Sequence, residues 1–110
     1  MDQKKAINIV QQYVELVKQN YDVKQIYLFG SYAKGNAKEE SDIDVAIVLD
    51  KIGDDYLAQS TKLFQLRRKI DLRIEPVLLE FNNDISGFLN EIISTGILIY
   101  QSKFNLSKCL

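Results

Sequence analysis

A chain of 110 residues with 46% apolar side chains, 26% charged side chains and a formal charge of −1 has the size and balance of one globular domain, neither a disordered segment nor a fibre. The near-neutral charge argues against a broad nucleic-acid footprint, and no apolar run approaches the roughly eighteen residues that span a bilayer, so a cytoplasmic protein is expected. Histidine is absent, which excludes imidazole zinc sites, Ser-His-Asp triads and histidine general bases at once.

Ala6, Ile9, Val10, Tyr13, Val14 and Val17 recur at helical spacing and predict an amphipathic helix from Asp2 to about Asn20. Gln25 to Phe29 reads as a first strand, broken at Gly30, with a brief helix from Ser31 leading into a polar loop. Asp42 to Leu49 reads as the second strand. Asp54 to Lys69 follows as a helix with Leu57, Thr61, Phe64 and Arg68 marking one face, and Ile70 to Leu79 as the third strand. A strand, a long helix and a strand form the crossover of a parallel pair, whereas the shorter link between the first two strands predicts an antiparallel pair. Asp84 is the expected N-cap of a helix carrying Ile85, Phe88, Leu89, Ile92 and Ile93, Gly96 its stop, and Ile97 to Tyr100 a short edge strand. The expected fold class is therefore α/β, an α+β arrangement with a small mixed sheet flanked by helices. Residues 1–100 make one domain and 101–110 a loose tail, in which the lone Cys109 reads as a bystander.

Chemistry concentrates in GSYAKGNAKEESDID, residues 30–44. Side chains two apart on a strand point to one face, roughly 7 Å apart, so Asp42 and Asp44 aim together. Converging carboxylates repel unless a cation lies between them, and hard oxygen ligands suit Mg²⁺ far better than zinc. The strand-turn-helix before them places backbone N–H groups and the Ser31 hydroxyl where an anion is favoured. Lys34 either touches such an anion as a point charge or faces water. Tyr32 reads as core rather than as a stacking platform.

Gly30, Ser31, Asp42 and Asp44 resemble, position for position, the signature of the minimal nucleotidyltransferase family of the DNA polymerase beta superfamily: Gly-Ser, a spacer, then Asp-x-Asp. Lys34-Gly35 fills the basic-Gly pair often seen after the turn, and VAIVL supplies the apolar strand after the acids. The resemblance implies a polymerase beta-like fold, two Mg²⁺ ions, ATP or another nucleoside triphosphate as substrate, and in-line transfer of a nucleoside monophosphate, AMP above all, to a hydroxyl. Gly30, Ser31 and Lys34 would then bind nucleotide, and Asp42 and Asp44 would hold metal and catalyse.

The family completes its metal site with an acid on the strand after the crossover helix, which here offers Asp71 and Glu75. They lie roughly 13 Å apart along one strand, so one of them reaches the metals. Asp71 is preferred, because parallel strands bring their beginnings level and Ile-Asp-x-Arg resembles the corresponding strand of DNA polymerase beta. Glu75 stays as the alternative, since Pro76 bends the chain beside it, and an ion pair with Arg73 or Lys69 is the expected fate of the acid that loses. Arg67, Arg68 and Lys69 are explained by the helix macrodipole. Minimal nucleotidyltransferases often act as antitoxins beside HEPN-domain toxins, so a tyrosine of a HEPN-type helical partner is the expected acceptor. Two other readings stay open: a module that neutralises a partner by contact alone, and a transferase acting on a small hydroxylated molecule. A homo-oligomer is open as well.

Overall fold

Helix α1, Gln3–Lys18, starts where Asp2 accepts the Lys5 amide at 2.9 Å, which satisfies one of the free N–H groups of a first turn. Its stripe Ala6, Val10, Tyr13, Val14 and Val17 is buried. The computed structural model describes residues 2–102, in the order α1, β1 (Val23–Phe29), α2 (Ser31–Lys34), β2 (Ile43–Leu49), α3 (Tyr56–Leu66), a 3-10 turn (Arg67–Lys69), β3 (Ile74–Glu80), α4 (Phe88–Thr95) and β4 (Ile97–Gln101). Cys109 and most of the expected tail lie outside the described residues. β4 runs one residue past its expected end, to Gln101, and the Ser102 amide donates to the Lys24 carbonyl at 2.9 Å. Among the described residues no helix is long and apolar enough to cross a membrane.

The four strands form one mixed sheet in the order β3-β2-β1-β4. β1 pairs antiparallel with β2 and with β4, and β2 pairs parallel with β3. One sheet face, carrying Ile26, Leu28, Val45, Ile47, Ile74 and Leu78, packs against α1 and α3 in the main core. The other face carries Tyr27, Ala46 and Val48, and α4 covers it with Leu89 and Ile92. Period-two alternation explains this division, since successive residues of each strand point to opposite layers.

Two helices depart from their predicted faces. On α3 the buried residues are Leu63 and Leu66, whereas Leu57 is 77% exposed and Thr61 and Arg68 are exposed too. The helix is oriented by α1, whose buried Tyr13 hydroxyl donates to the Leu63 carbonyl at 2.8 Å. Helix α4 begins at Phe88 because Gly87 adopts φ 77°, a left-handed turn that leaves Ile85 outside the helix and 92% exposed. Asp84 still caps it from a distance, accepting the amides of Leu89 and Asn90 at 2.9 Å each. Gly96 does stop α4, but in extended conformation. A side chain there would meet the Ile92 carbonyl at 2.7 Å and the Leu28 carbonyl at 2.9 Å, so close packing on β1 is what requires glycine.

Candidate active site

Topology gathers the signature residues at one end of the sheet. β1 finishes there at Phe29, the antiparallel β2 starts there at Ile43, and the parallel β3 starts there at Ile74. Gly30 therefore follows the end of one strand while Asp42 and Asp44 open the next. The register aligns Phe29 with Asp44 and Asp44 with Glu75, a row across three strands at about 4.8 Å spacing.

Gly30 sits at φ 75° and ψ −150°, a region almost closed to residues with a Cβ. A Cβ built there would meet the Asp44 Oδ2 at 2.2 Å. Glycine is therefore what this turn requires, since it is folded against the carboxylate of Asp44. Ser31 opens α2 and is half-buried, whereas Lys34, at its end, is exposed. Gln3 on α1 braces this helix, its Nε2 donating to the Tyr32 carbonyl at 2.9 Å. Tyr32 is buried core, as its pattern implied.

Asp42 is exposed just before β2, and Asp44 is half-buried within it. Burial pushes the Asp44 carboxyl above its ordinary range, and the charges of Asp42 and Glu75 push it the same way. Asp44 is thus the acid whose charge burial and its two neighbours disfavour, and a counter-charge beside it would relieve it. Every donor among the three acids is a hard oxygen, a set suited to Mg²⁺ rather than to zinc or a soft metal. Glu75 is turned toward Arg67, whose Nη1 stands 3.4 Å from its Oε1 and donates to the Ile74 carbonyl at 2.8 Å. No three potential ligands among the described residues enclose an ion as they stand.

The expectation that β3 starts at Ile70 and brings Asp71 level with the aspartates is overturned. Asp71 lies in the turn before the strand, where its Oδ1 accepts the Arg73 amide at 2.9 Å and its Oδ2 pairs with Arg73 Nη2 at 2.7 Å. Arg73 holds the Asp71 carboxyl below its ordinary range. The residue level with Asp44 is Glu75. The ion pairs are redistributed accordingly: Arg73 serves Asp71, and Glu75 pairs with Arg67, a residue the macrodipole argument had left without a partner.

The sequence profile of the family described as Polymerase beta, Nucleotidyltransferase matches residues 11–105. A protein of Methanocaldococcus jannaschii provisionally named protein adenylyltransferase MJ0604 is 45% identical over 104 residues, covering 91% of this chain and 100% of that one. A second from that organism, provisionally named protein adenylyltransferase MJ1379, is 37% identical over 62 residues, 56% of this chain and 62% of the relative. Among solved structures, a Sulfolobus solfataricus protein provisionally described as a nucleotidyltransferase superposes with a TM-score of 0.67 at 20% identity, over 92% of this chain and 85% of that one. The MNT antitoxin in complex with the tri-AMPylated HEPN toxin of Shewanella oneidensis gives a TM-score of 0.60 at 20% identity, over 96% and 77%. At that identity these two likenesses show the fold.

Proposed function

The chain belongs to the polymerase beta nucleotidyltransferase family, and from that premise we propose that it is a Mg²⁺-dependent protein adenylyltransferase, moving AMP from ATP to a tyrosine hydroxyl of a HEPN-type partner. The observation that carries this reading is the row of acids at one sheet end, with Asp44 level with Glu75 and folded against Gly30. The protein adenylyltransferase name of the MJ0604 relative supports a protein acceptor. The tri-AMPylated HEPN toxin bound to the structural neighbour supports AMP as the group transferred and an antitoxin role.

In this reading Asp42, Asp44 and Glu75 hold the metal, and Asp71 is a structural acid of the turn. The ions supply charge neutralisation for the triphosphate and polarise the incoming hydroxyl. The chain's own contribution is positioning and charge. The Gly30–Ser31 turn and Lys34 orient the β- and γ-phosphates, and an aspartate of the pair takes the hydroxyl proton, no histidine being present. The hydroxyl oxygen forms its bond to the α-phosphorus as the bond to the pyrophosphate oxygen breaks.

Pyrophosphate release with each of the four nucleoside triphosphates, with and without chelator, tests the reading in the presence of the acceptor. ATP should be preferred, and release should vanish in excess chelator and in the Asp42→Asn, Asp44→Asn variant. Undiminished release in either condition would overturn it.

A further inference from the structure

A cleft of about 230 Å³ opens beside the acids, between Phe29, Gly30 and Lys34 on one side and Phe88, Glu91 and Thr95 of α4 on the other. We infer that this cleft takes the base of the nucleotide, and that the Glu91 carboxylate selects adenine or cytosine, with an amino group at the 6- or 4-position, over guanine and uracil, with a carbonyl there. The inference rests on the nucleotidyltransferase reading and deepens it.

Position is the first argument. Gly30 belongs both to the cleft and to the wall of the Asp44 carboxylate. Phe29 is the cross-strand partner of Asp44, so its ring stands on the same sheet face. The strand order puts Glu75, on β3, on the opposite flank of Asp44. In-line transfer sets acceptor and pyrophosphate on opposite sides of the α-phosphorus, and the nucleoside leaves in a third direction. With the phosphates at the Gly30–Ser31 turn and the acceptor on the Glu75 flank, the flank left for the nucleoside is that of β1 and α4.

Chemistry is the second. Phe29 and Phe88 meet edge to face with centroids 5.7 Å apart, and buried Ile92 closes the floor. That floor suits a planar ring. Glu91 would repel a phosphate, but an ionised carboxylate accepts hydrogen bonds only and so welcomes the 6-amino group of adenine or the 4-amino group of cytosine. Guanine and uracil present a carbonyl oxygen at the corresponding position instead. Size is the third argument, because the cleft falls below the roughly 300–1,000 Å³ of sites that enclose a whole small ligand and so matches one moiety.

Calorimetry on the full chain, with Mg²⁺ present throughout, compares ATP, GTP, CTP, UTP and inorganic tripolyphosphate as probes. ATP and CTP should bind about tenfold more tightly than GTP and UTP, as expected for a charge-assisted hydrogen bond made or lost. Glu91→Gln should bring GTP and UTP to within about twofold of the other two, because an amide can donate as well as accept. Phe88→Ala should weaken all four nucleotides and leave tripolyphosphate unchanged, while circular dichroism shows the helices intact. Nucleotides that bind no more tightly than tripolyphosphate would overturn the inference, as would a ranking that survives Glu91→Gln and would pass the cleft to an aromatic side chain of the acceptor. A chain that binds neither tripolyphosphate nor any nucleotide overturns the nucleotidyltransferase reading itself.

Discussion

Gly30 has two independent reasons to carry no side chain: its backbone lies where a Cβ is strained, and the Asp44 carboxylate fills the space a Cβ would need. The first alone costs about 1–3 kcal/mol for other residues. Gly30→Ala should therefore lower thermal stability by several degrees and cut AMP transfer at least tenfold, on the order of 1.4 kcal/mol in the barrier, because the clash displaces Asp44. A variant with wild-type melting and transfer would show that the turn yields freely. The third acid gives a sharper contrast. Glu75→Gln should remove most transfer, whereas Asp71→Asn should keep most of it and lose stability instead. Reversed outcomes would return the role to Asp71. The Asp71 loss should also depend on pH. Its hydrogen bond from Arg73 holds the carboxyl below the ordinary 3.8. A carboxyl depressed by folding contributes stability above 3.8 and loses it as pH falls through its lower folded value. The gap in melting temperature between wild type and Asp71→Asn should hence be full at neutral pH and close below 3.8.

Tyr13 ties α1 to α3 through its buried hydroxyl, and the elements it joins frame the site without touching substrate. Burial pushes that hydroxyl's pKa far up, so it stays a donor at any ordinary pH. Tyr13→Phe removes one of two hydrogen bonds to the Leu63 carbonyl, which keeps the Arg67 amide, and should cost about 0.5–1.5 kcal/mol in denaturant unfolding while transfer persists. A loss of transfer at unchanged stability would mean that α1 acts on the Gly30 turn more directly, through Gln3. The same contact explains what the sequence did and did not disclose at this scale. Helix α1 and the Gly-Ser and Asp-x-Asp segments were legible because their patterns are local: a 3.6-residue stripe, a glycine turn, an alternating pair. The buried face of α3 was not, since a partner helix sets it. Asp71 misled for another reason. KIDLRI alternates like a strand, yet the Asp71 carboxylate captures the Arg73 amide and holds the chain in a turn, so local side-chain bonding displaces the start of β3 to Ile74. That shift of four residues is the distance from Asp71 to Glu75, and it decides which acid stands beside Asp44.

At the scale of the molecule, one sheet end serves nucleotide, metal and acceptor together in the proposed reading. Among the described residues β3 is an edge strand, paired only with β2, so no further described strand lies on the Glu75 flank of Asp44. A protein acceptor can approach there, whereas the β1 flank is already lined by α4. In the proposed reading a partner would supply the remaining wall of the site, and an interface of about 800 Å² on each side is the usual size for a stable pair. Co-expression with a HEPN-type partner followed by intact mass spectrometry should find that partner heavier by one or more AMP units, with the tyrosine identified by peptide mapping. The Asp42→Asn, Asp44→Asn variant should leave the partner unmodified while still binding it, because two neutral side chains at the strand start remove charge but little contact area. If the unmodified partner is then active, transfer is the neutralising event. If both versions of the chain silence it equally, neutralisation is by contact, and the acids serve some other acceptor.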